Sequence, residues 1–240
     1  MRLRNLFLFQ GILLLLPLFA ISQKHSDKDF VAMEIIKNTE YLPDDIKQLL
    51  VVYNESPEDH QAVLAAMEKT DKGWQEVIKA IPAGVGRNGF AKPGKKVEGD
   101  GKSPTGLYRL GSLFSYKKLV ETNMPYFQTT KEDKWIDDPE SVDYNRHVSG
   151  ETKAKSYEKL KLDNDLYKYC MVIEYNTNPI VKGKGSAIFL HLSEDPPGAT
   201  SGCVAITENN MEWILKWMNP ELNPSIIMGN KQTLIAGLNQ

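Results

Sequence analysis

The stretch IFLHLSEDPPGATSGCVAI, residues 188–206, joins two short apolar runs through a connection rich in proline and glycine. His191 lies near the end of the first run, and Cys203 directly precedes the second. Acyl transfer requires a thiolate nucleophile, a base that takes its proton and donors that face the developing oxyanion. We therefore expect residues 193–200 to fold back and bring His191 and Cys203 together as base and nucleophile.

Ser201 and Gly202 immediately precede the candidate nucleophile and are expected to shape the site. Because glycine permits close approach and unusual backbone angles, the N–H groups of Gly202 and Cys203 are candidates for an oxyanion hole. The competing interpretation of the same pattern is an inert buried thiol near a histidine that is hydrogen-bonded within the core. Spacing alone leaves both interpretations open.

Residues 1–22 have the pattern of a cleaved secretory signal. Arg2 and Arg4 precede the apolar run LFLFQGILLLLPLFA, and small residues follow at Ala20–Ser22. A membrane anchor is the alternative, but Pro17 interrupts the run, which is shorter than the roughly 20 residues of a bilayer span. We expect a protein that is periplasmic or secreted and is not an integral membrane protein.

The rest of the chain is long enough for one domain with a hydrophobic core and a small N-terminal extension. We place a helical extension at residues 23–48, where apolar residues have helical spacing, and the main domain at residues 49–240. The formal net charge of −2 gives no reason to expect a nucleic-acid partner.

Several elements of the main domain can be predicted. LLVVYN, residues 49–54, is typical of a buried strand, and Asp71-Lys72-Gly73 indicates a hairpin turn between two strands. CMVIEYN and SAIFLHL also have the character of buried strands. The tail contains one helix, with Thr207 as a candidate N-cap and Pro220 beyond its end. The apolar stripe of this helix consists of Met211, Ile214, Leu215 and Met218.

The two cysteines of the chain are Cys170 and Cys203. An oxidising compartment permits a disulfide between them, and the sequence alone does not decide the pairing. Cys170 lies in an apolar, β-branched run, whereas Cys203 lies in a turn-rich stretch, so we expect a buried structural Cys170 and a reactive Cys203. With no CxxC and four histidines spread along the chain, a zinc site finds little support.

The segment GVGRNG, residues 84–89, formally matches the GxGxxG motif of dinucleotide-binding folds. That motif requires a helix directly after it, but here FAKPGKK follows, and Pro93-Gly94 cannot continue a helix. We interpret the segment as a glycine-rich turn after a strand.

Three stretches, in this order and behind the leader, carry a resemblance to a known family. They are GDGKSPTGLYRL at residues 99–110, IFLHLS at 188–193 and TSGCVAI at 200–206. Together they resemble the L,D-transpeptidase catalytic domain, the YkuD-type family. The likeness runs from about Leu49 to Met228. Its most specific element is SGC, followed by GDGKSPTG.

The resemblance implies a fold that is mainly β with a few helices: a β-sandwich with mixed sheets, a short helical N-terminal lead-in and one C-terminal helix. It implies that Cys203 and His191 are the catalytic residues and that a backbone carbonyl, here that of Leu192, orients the imidazole. It implies no metal and no organic cofactor. The implied partners are the stem peptides of peptidoglycan, and we expect a monomer.

In this family the thiolate attacks the carbonyl that links an L-centre, typically of a diamino acid, to D-Ala, and D-Ala leaves. An amine of a neighbouring stem then resolves the thioester and forms a cross-link. Water as acceptor gives a carboxypeptidase or endopeptidase, and a protein amine gives an enzyme that attaches proteins to peptidoglycan. A non-catalytic wall-binding domain on the same scaffold is the remaining alternative.

The sequence departs from the common family pattern at three positions. Ser201 stands where many members have a second histidine, and Leu192 follows His191 where many have glycine. Ala205 stands where many members have an arginine two positions after the cysteine. The absent arginine removes a bidentate partner for a carboxylate.

Residues 124–150, MPYFQTTKEDKWIDDPESVDYNRHVSG, mix aromatic and charged residues without strong periodicity, which is typical of a binding loop. We expect Tyr144 and Asn145 to line the cleft and Arg146 to hold a stem carboxylate. The alternative is a solvated loop that is held by its own Trp135 and Tyr144.

Asp137 and Asp138 in the same segment are further candidates, for the amine of a diamino acid. Paired carboxylates also suggest a glycosidase, but adjacent aspartates more often point apart, and no second acidic partner stands out.

Overall fold

The computed structural model describes residues 28–39 and 42–237. The predicted leader, residues 1–22, lies outside the described residues. Of the extension predicted at residues 23–48, the structure describes the part from residue 28 onward except residues 40–41.

The described residues form twelve β-strands and three α-helices. The strands are β1 (Gln48–Asn54), β2 (Gln61–Thr70), β3 (Gly73–Gly84), β4 (Gly106–Ser115), β5 (Tyr126–Gln128), β6 (Asp133–Ile136), β7 (His147–Ser149), β8 (Tyr157–Lys159), β9 (Tyr169–Ile173), β10 (Phe189–Leu192), β11 (Val204–Ile206) and β12 (Ser225–Asn230). The helices are α1 (Lys28–Asn38), α2 (Glu208–Trp217) and α3 (Lys231–Ile235), with a 3₁₀ turn at Pro220–Leu222.

Nine of the strands form one sheet that closes on itself. Their order is β12-β1-β2-β3-β11-β10-β9-β4-β5, and β12 also pairs with β4. Because β12 pairs in parallel with β1 on one side and antiparallel with β4 on the other, both of its edges are occupied. The mainly β class with few helices is therefore confirmed, whereas the predicted two-sheet sandwich is not, because the main sheet is a closed, barrel-like sheet.

The closed sheet has a hydrophobic interior and a second apolar layer on its outside. Along β1, Leu50 and Val52 belong to the interior cluster, together with side chains from the other long strands. The alternate residues Leu49, Val51 and Tyr53 belong to an outer cluster that α1 covers. Strand β1 is consequently buried on both faces, as its continuous apolar sequence predicts. The residues that α1 contributes to the outer cluster are Val31, Ala32, Ile35 and Ile36.

The predicted hairpin is confirmed. Strands β2 and β3 pair antiparallel up to Thr70 and Gly73, so Asp71 and Lys72 form a two-residue loop. Gly73 has φ +93°, a backbone conformation that favours glycine.

The predicted C-terminal helix is also confirmed as α2, and its apolar stripe packs into the interior cluster. Thr207 occupies the N-cap position, but its side chain makes no capping hydrogen bond. A second helix near the C-terminus, α3, was not predicted. Asn230 caps it by accepting a hydrogen bond from the N–H of Gln232 at 3.2 Å.

Residues 124–150 are more regular than the predicted binding loop. They contain β5, which extends the main sheet beside β4, and β6 and β7, which form a small separate sheet with β8. None of the described helices has the length and apolar character needed to cross a bilayer.

The packing of α1 on the closed sheet yields a stability prediction. Ile35 is fully buried between α1 and the outer face of the sheet. The substitution Ile35→Ala removes buried methyl and methylene groups and leaves a cavity, so we expect it to lower the free energy of unfolding by about 2–5 kcal/mol. Urea denaturation measures this change.

Glu34→Ala on the exposed face of the same helix is the matched control and should change the free energy of unfolding by less than about 0.5 kcal/mol. Equal, small effects of the two substitutions would show that α1 does not contribute to the folded domain.

Candidate active site

The parallel pairing of β10 and β11 brings the two candidate catalytic residues to one region of the sheet. In this pairing Leu190 lies opposite Val204, and His191 lies opposite Ala205. Cys203, one residue before β11, is therefore level with Phe189 at the start of β10. Phe189 and Cys203 are in direct contact, because the N–H of Phe189 donates a hydrogen bond to Cys203 Sγ at 3.4 Å.

Strand alternation decides which of these side chains face the site. Successive residues of a strand point to opposite sides of the sheet, so His191, Cys203 and Ala205 share one face. All three line one pocket of about 530 Å³ on the outside of the closed sheet. The intervening residues Leu190, Leu192, Val204 and Ile206 belong to the interior cluster.

The environment of His191 favours the neutral imidazole. Its Nδ1 lies 2.8 Å from the carbonyl oxygen of Leu192, which only accepts hydrogen bonds, so Nδ1 carries the proton and Nε2 carries the lone pair. The imidazole also packs edge-on against Tyr167, with ring centroids 5.3 Å apart. Burial lowers the pKa of His191, and the Leu192 carbonyl opposes this effect in part. The carbonyl contact expected for Leu192 is thus present.

Cys203 is buried and rests as a protonated thiol. Its Sγ donates to the carbonyl oxygen of Ala187 at 3.2 Å and accepts from the N–H of Phe189. Burial raises the pKa of Cys203 to about 12, although the Phe189 N–H acts in the opposite direction. Among the described residues, no hydrogen bond joins the thiol to His191. Proton transfer therefore requires the S–H group to turn from Ala187 towards the lone pair of His191. Catalytic hydrogen bonds commonly form or shorten in this way only when a substrate binds.

The loop before Cys203 is held in place by two hydroxyl groups. Thr200 Oγ1 donates to the carbonyl of Cys203 at 2.8 Å, and Ser103 Oγ donates to the same carbonyl at 3.1 Å. Ser103 belongs to GDGKSPTG, so this motif contacts the backbone of Cys203 directly. Gly202 has φ +150°, and a Cβ there would lie 3.0 Å from the carbonyl oxygen of Lys102. Glycine is therefore required at this position for backbone and packing reasons.

The predicted oxyanion donors differ in availability. The N–H of Gly202 donates to Thr200 Oγ1 at 3.1 Å and is occupied in this state. The N–H of Cys203 is the other predicted donor. Ser201 is exposed and lines the pocket, where its Oγ accepts a hydrogen bond from Arg87 Nη1 at 3.2 Å.

The predicted substrate-binding residues are not brought to this pocket. Tyr144 is buried, with its hydroxyl donating to Glu98 Oε2 at 2.5 Å. Arg146 is exposed but does not line the pocket. The predicted contact of Tyr144, Asn145 and Arg146 with substrate has no support in this geometry, which instead fits the alternative of a segment held by its own aromatic residues.

Asn145 lies behind the pocket wall and supports the site indirectly. Its Oδ1 accepts hydrogen bonds from Trp135 Nε1 at 2.8 Å and from the N–H of Ala187 at 3.0 Å. Ala187 in turn accepts the hydrogen bond of the Cys203 thiol, and it has φ +53°. Asn145 therefore stabilises an unfavourable backbone conformation at the residue that holds the resting thiol.

The two adjacent aspartates point to different surroundings. Asp137 lines the pocket, whereas Asp138 accepts hydrogen bonds from the N–H groups of Lys155 and Glu140, which lower its pKa. Glu158 also lines the pocket, and burial raises its pKa, with Asp137 adding to the effect.

The pocket residues that the sequence analysis did not single out include Arg87, Glu158 and Tyr167. Arg87 lies in the glycine-rich turn GVGRNG, and its charge beside glycines that permit close approach was an available signal. Glu158 and Tyr167 stand in stretches without a motif, and nothing local distinguishes them.

Both cysteines are free in the structure, so the disulfide alternative is wrong. Cys170 is completely buried, and burial raises its pKa well above the usual range. Its predicted buried position is confirmed.

A cysteine and a neutral histidine in one pocket, with the histidine tautomer fixed by a carbonyl, are the groups that acyl transfer by a cysteine requires. Residues 59–227 match the YkuD family, the L,D-transpeptidase catalytic domain. This match spans more than half of the chain, and the chain belongs to that family.

A search of curated proteins finds no match. A search of solved structures finds similarity to the crystal structure of the helical cell shape determining protein Pgp2 from Campylobacter jejuni, with a TM-score of 0.40 and 15% sequence identity. The alignment covers 87% of this chain and 60% of that chain.

The protonated resting state of Cys203 predicts an unusual pH profile of alkylation. Only the thiolate reacts with iodoacetamide. Because burial raises the pKa of Cys203 to about 12, we expect its alkylation rate to rise throughout the accessible alkaline range without levelling off. An ordinary thiol levels off above about pH 9. Intact-protein mass against time measures the rate.

The experiment is done in a Cys170→Ala background, so that a mass increase reports Cys203 alone, and the urea-unfolded protein provides the ordinary profile. A rate in the folded protein that is already constant at about pH 8 would mean that a thiolate–imidazolium pair exists before substrate binds.

Proposed function

We propose that the protein is an exported cysteine L,D-transpeptidase that acts on the stem peptides of peptidoglycan. Family membership supports the reaction class. The observation that carries the assignment of residues is the shared pocket of Cys203 and His191, in which the Leu192 carbonyl leaves the Nε2 lone pair of His191 available to a proton. The pocket volume of about 530 Å³ is within the range of small-molecule and peptide sites.

The first half-reaction forms a thioester. When the donor stem binds, the S–H proton of Cys203 passes to Nε2 of His191, and the thiolate attacks the carbonyl carbon before the terminal D-Ala. The tetrahedral oxyanion accepts a hydrogen bond from the N–H of Cys203. The carbon–nitrogen bond then breaks, the leaving amine takes the proton from His191, and D-Ala departs with its carboxylate intact.

The second half-reaction regenerates the thiol. An amine of a second stem gives a proton to His191 and attacks the thioester carbon. The carbon–sulfur bond breaks, the sulfur recovers the proton from His191, and a new amide cross-link is released. The same base thus serves both steps because it begins and ends neutral.

The resting pKa values oppose the initial proton transfer, since burial raises the pKa of the Cys203 thiol and lowers that of His191. The N–H of Phe189 is already placed to stabilise the thiolate once it forms. We propose that substrate binding offsets the rest of the free-energy cost of this proton transfer by aligning the attacked carbonyl. Thiolate formation and attack are then coupled.

Export is part of the proposal. Peptidoglycan lies outside the cytoplasmic membrane, and residues 1–22 have the pattern of a cleaved signal. The mature chain is then expected to begin near Gln23 in the periplasm or the medium.

The proposal predicts that Cys203→Ala lowers turnover of a tetrapeptide stem by at least about three orders of magnitude, because no other group can form the thioester. Mass analysis of muropeptides after incubation measures turnover, and thermal unfolding shows whether the variant is folded. Cys170→Ala is the matched control: it removes a buried thiol that does not line the pocket and should retain activity. Undiminished turnover by folded Cys203→Ala contradicts the assignment.

The products of the same incubation identify the acceptor. We expect stem-to-stem cross-linked dimers that depend on Cys203. Tripeptide stems without dimers would instead assign a carboxypeptidase that uses water at the same site. The absence of any Cys203-dependent product would favour a non-catalytic wall-binding domain.

A further inference from the structure

Arg87 is a charged residue of the pocket to which the reaction as described gives no task. It follows the end of β3, within GVGRNG, and lines the same pocket as Cys203 and His191. Its side chain is exposed, and Nη1 donates to Ser201 Oγ at 3.2 Å. Ser201 is two residues from the nucleophile, so the guanidinium lies beside the loop that carries Cys203.

The backbone of Arg87 is fixed to that loop. Gly86 forms a bridge with Thr200, and the N–H of Arg87 donates to the carbonyl of Thr200 at 2.8 Å. The N–H of Thr200 donates to the carbonyl of Val85 at 2.9 Å. These hydrogen bonds join the backbone around Arg87 to the loop that carries Cys203.

The side chain of Arg87 also packs against the loop that contains Gly101. Gly101 has φ +67°, and a Cβ at this position would lie 2.9 Å from both Cζ and Nε of Arg87. The glycine leaves the space that the guanidinium occupies. The guanidinium of Arg87 therefore lies against Gly101 as well as beside Ser201.

The positive charge of Arg87 is not neutralised within the described part of the chain. Arg109 has an ion pair with Asp45 at 2.6 Å, and the pocket lysine Lys96 has one with Asp100 at 2.6 Å. Arg87 has no such pair among the described residues, and its polar contact is the neutral hydroxyl of Ser201.

Two of the three acidic residues that line the pocket accept hydrogen bonds from other side chains. Glu98 accepts hydrogen bonds from Tyr144 and from Ser186, the latter at 2.7 Å. Glu158 accepts a hydrogen bond from Tyr167 at 3.0 Å. The third, Asp137, forms no ion pair with Arg87 in the described part of the chain, so the guanidinium of Arg87 is available to an anion that enters with the substrate.

We infer that Arg87 is a specificity-determining residue that binds the free carboxylate of the leaving amino acid. The inference rests on the proposed function, in which the attacked carbonyl is bonded to the nitrogen of a terminal residue. The carboxylate of that residue is only a few bonds from the attacked carbon and must lie close to Cys203. A guanidinium beside Ser201 can bind it with two parallel hydrogen bonds.

The binding mode requires a donor whose chain ends at the leaving residue. A carboxamide at the same position has no charge and presents an N–H₂ group to the donors of Arg87. The protein would accordingly cleave stems that end one residue after the attacked carbonyl and would discriminate against extended or amidated stems.

The test compares two matched tetrapeptide donors, one with a C-terminal carboxylate and one with a C-terminal carboxamide, by their kcat/KM values. We expect the native protein to prefer the carboxylate donor by about 10- to 100-fold, the usual effect of a charged hydrogen-bonding partner. Arg87→Gln should remove most of this preference, because KM for the carboxylate donor rises far more than KM for the carboxamide donor. Arg87→Lys should recover part of the preference, because it keeps the charge without the fork.

Two further variants sharpen the result. Lys72→Gln removes one positive charge at the β2–β3 turn, at the opposite end of a long hairpin from the site, and controls for a change of net charge. Arg146→Gln tests the carboxylate partner expected from the sequence. If Arg146→Gln abolishes the preference and Arg87→Gln does not, the inference is wrong.

Other outcomes are equally decisive. An equal loss of kcat/KM with both donors in Arg87→Gln would mean that Arg87 only holds the loops together, which overturns the inference. If Cys203→Ala is inactive and Arg87→Gln keeps the carboxylate preference, the inference alone fails. If Cys203→Ala retains activity, the proposed function fails as well.

Discussion

The parallel pairing of β10 with β11 is the constraint on which the site depends. Parallel neighbours cannot be joined by a tight hairpin, so the connection between them must travel back along the strand direction. Here residues 193–203 make that return without a helix and deliver Cys203 to the start of β11, level with Phe189. Because alternate residues share a face, the same pairing places His191 and Cys203 outside the closed sheet and their neighbours in its interior.

The surrounding structure favours the protonated thiol of Cys203. Ala187 accepts the S–H group, Asn145 holds Ala187, and burial disfavours both the thiolate and the imidazolium. A protonated buried thiol is a poor target for oxidants, which react with thiolates. In the exported enzyme that we propose, the site would stay reduced until a substrate aligns the reacting groups.

The success of the sequence predictions depended on whether the signal was local. The hairpin at Asp71-Lys72, the buried strand β1 and the stripe of α2 follow from short-range patterns and are confirmed. The shared pocket of His191 and Cys203 could also be predicted, because a short connection limits how far the two residues can separate. The closed sheet could not, since the pairing of β12 with β4 joins distant parts of the chain and leaves no compositional trace.

The direction of side chains was the second feature that the sequence could not predict. The composition of residues 124–150 predicts binding chemistry, but Tyr144 and Asn145 point into the protein and support the pocket wall from behind. Conversely, Arg87 was overlooked because its turn contacts Thr200 through a bridge that depends on the tertiary fold. Motifs rich in glycine mark close backbone approach, but they do not tell which segment approaches.

The central claim is that Cys203 accepts an acyl group with the help of His191. Intact-protein mass after exposure to a carbapenem, whose strained amide acylates such thiols, tests it most directly. We predict one covalent adduct on the native protein, located at Cys203 by peptide mapping and absent from Cys203→Ser. An adduct that persists in Cys203→Ser, or a native protein that stays unmodified while folded, would contradict the account.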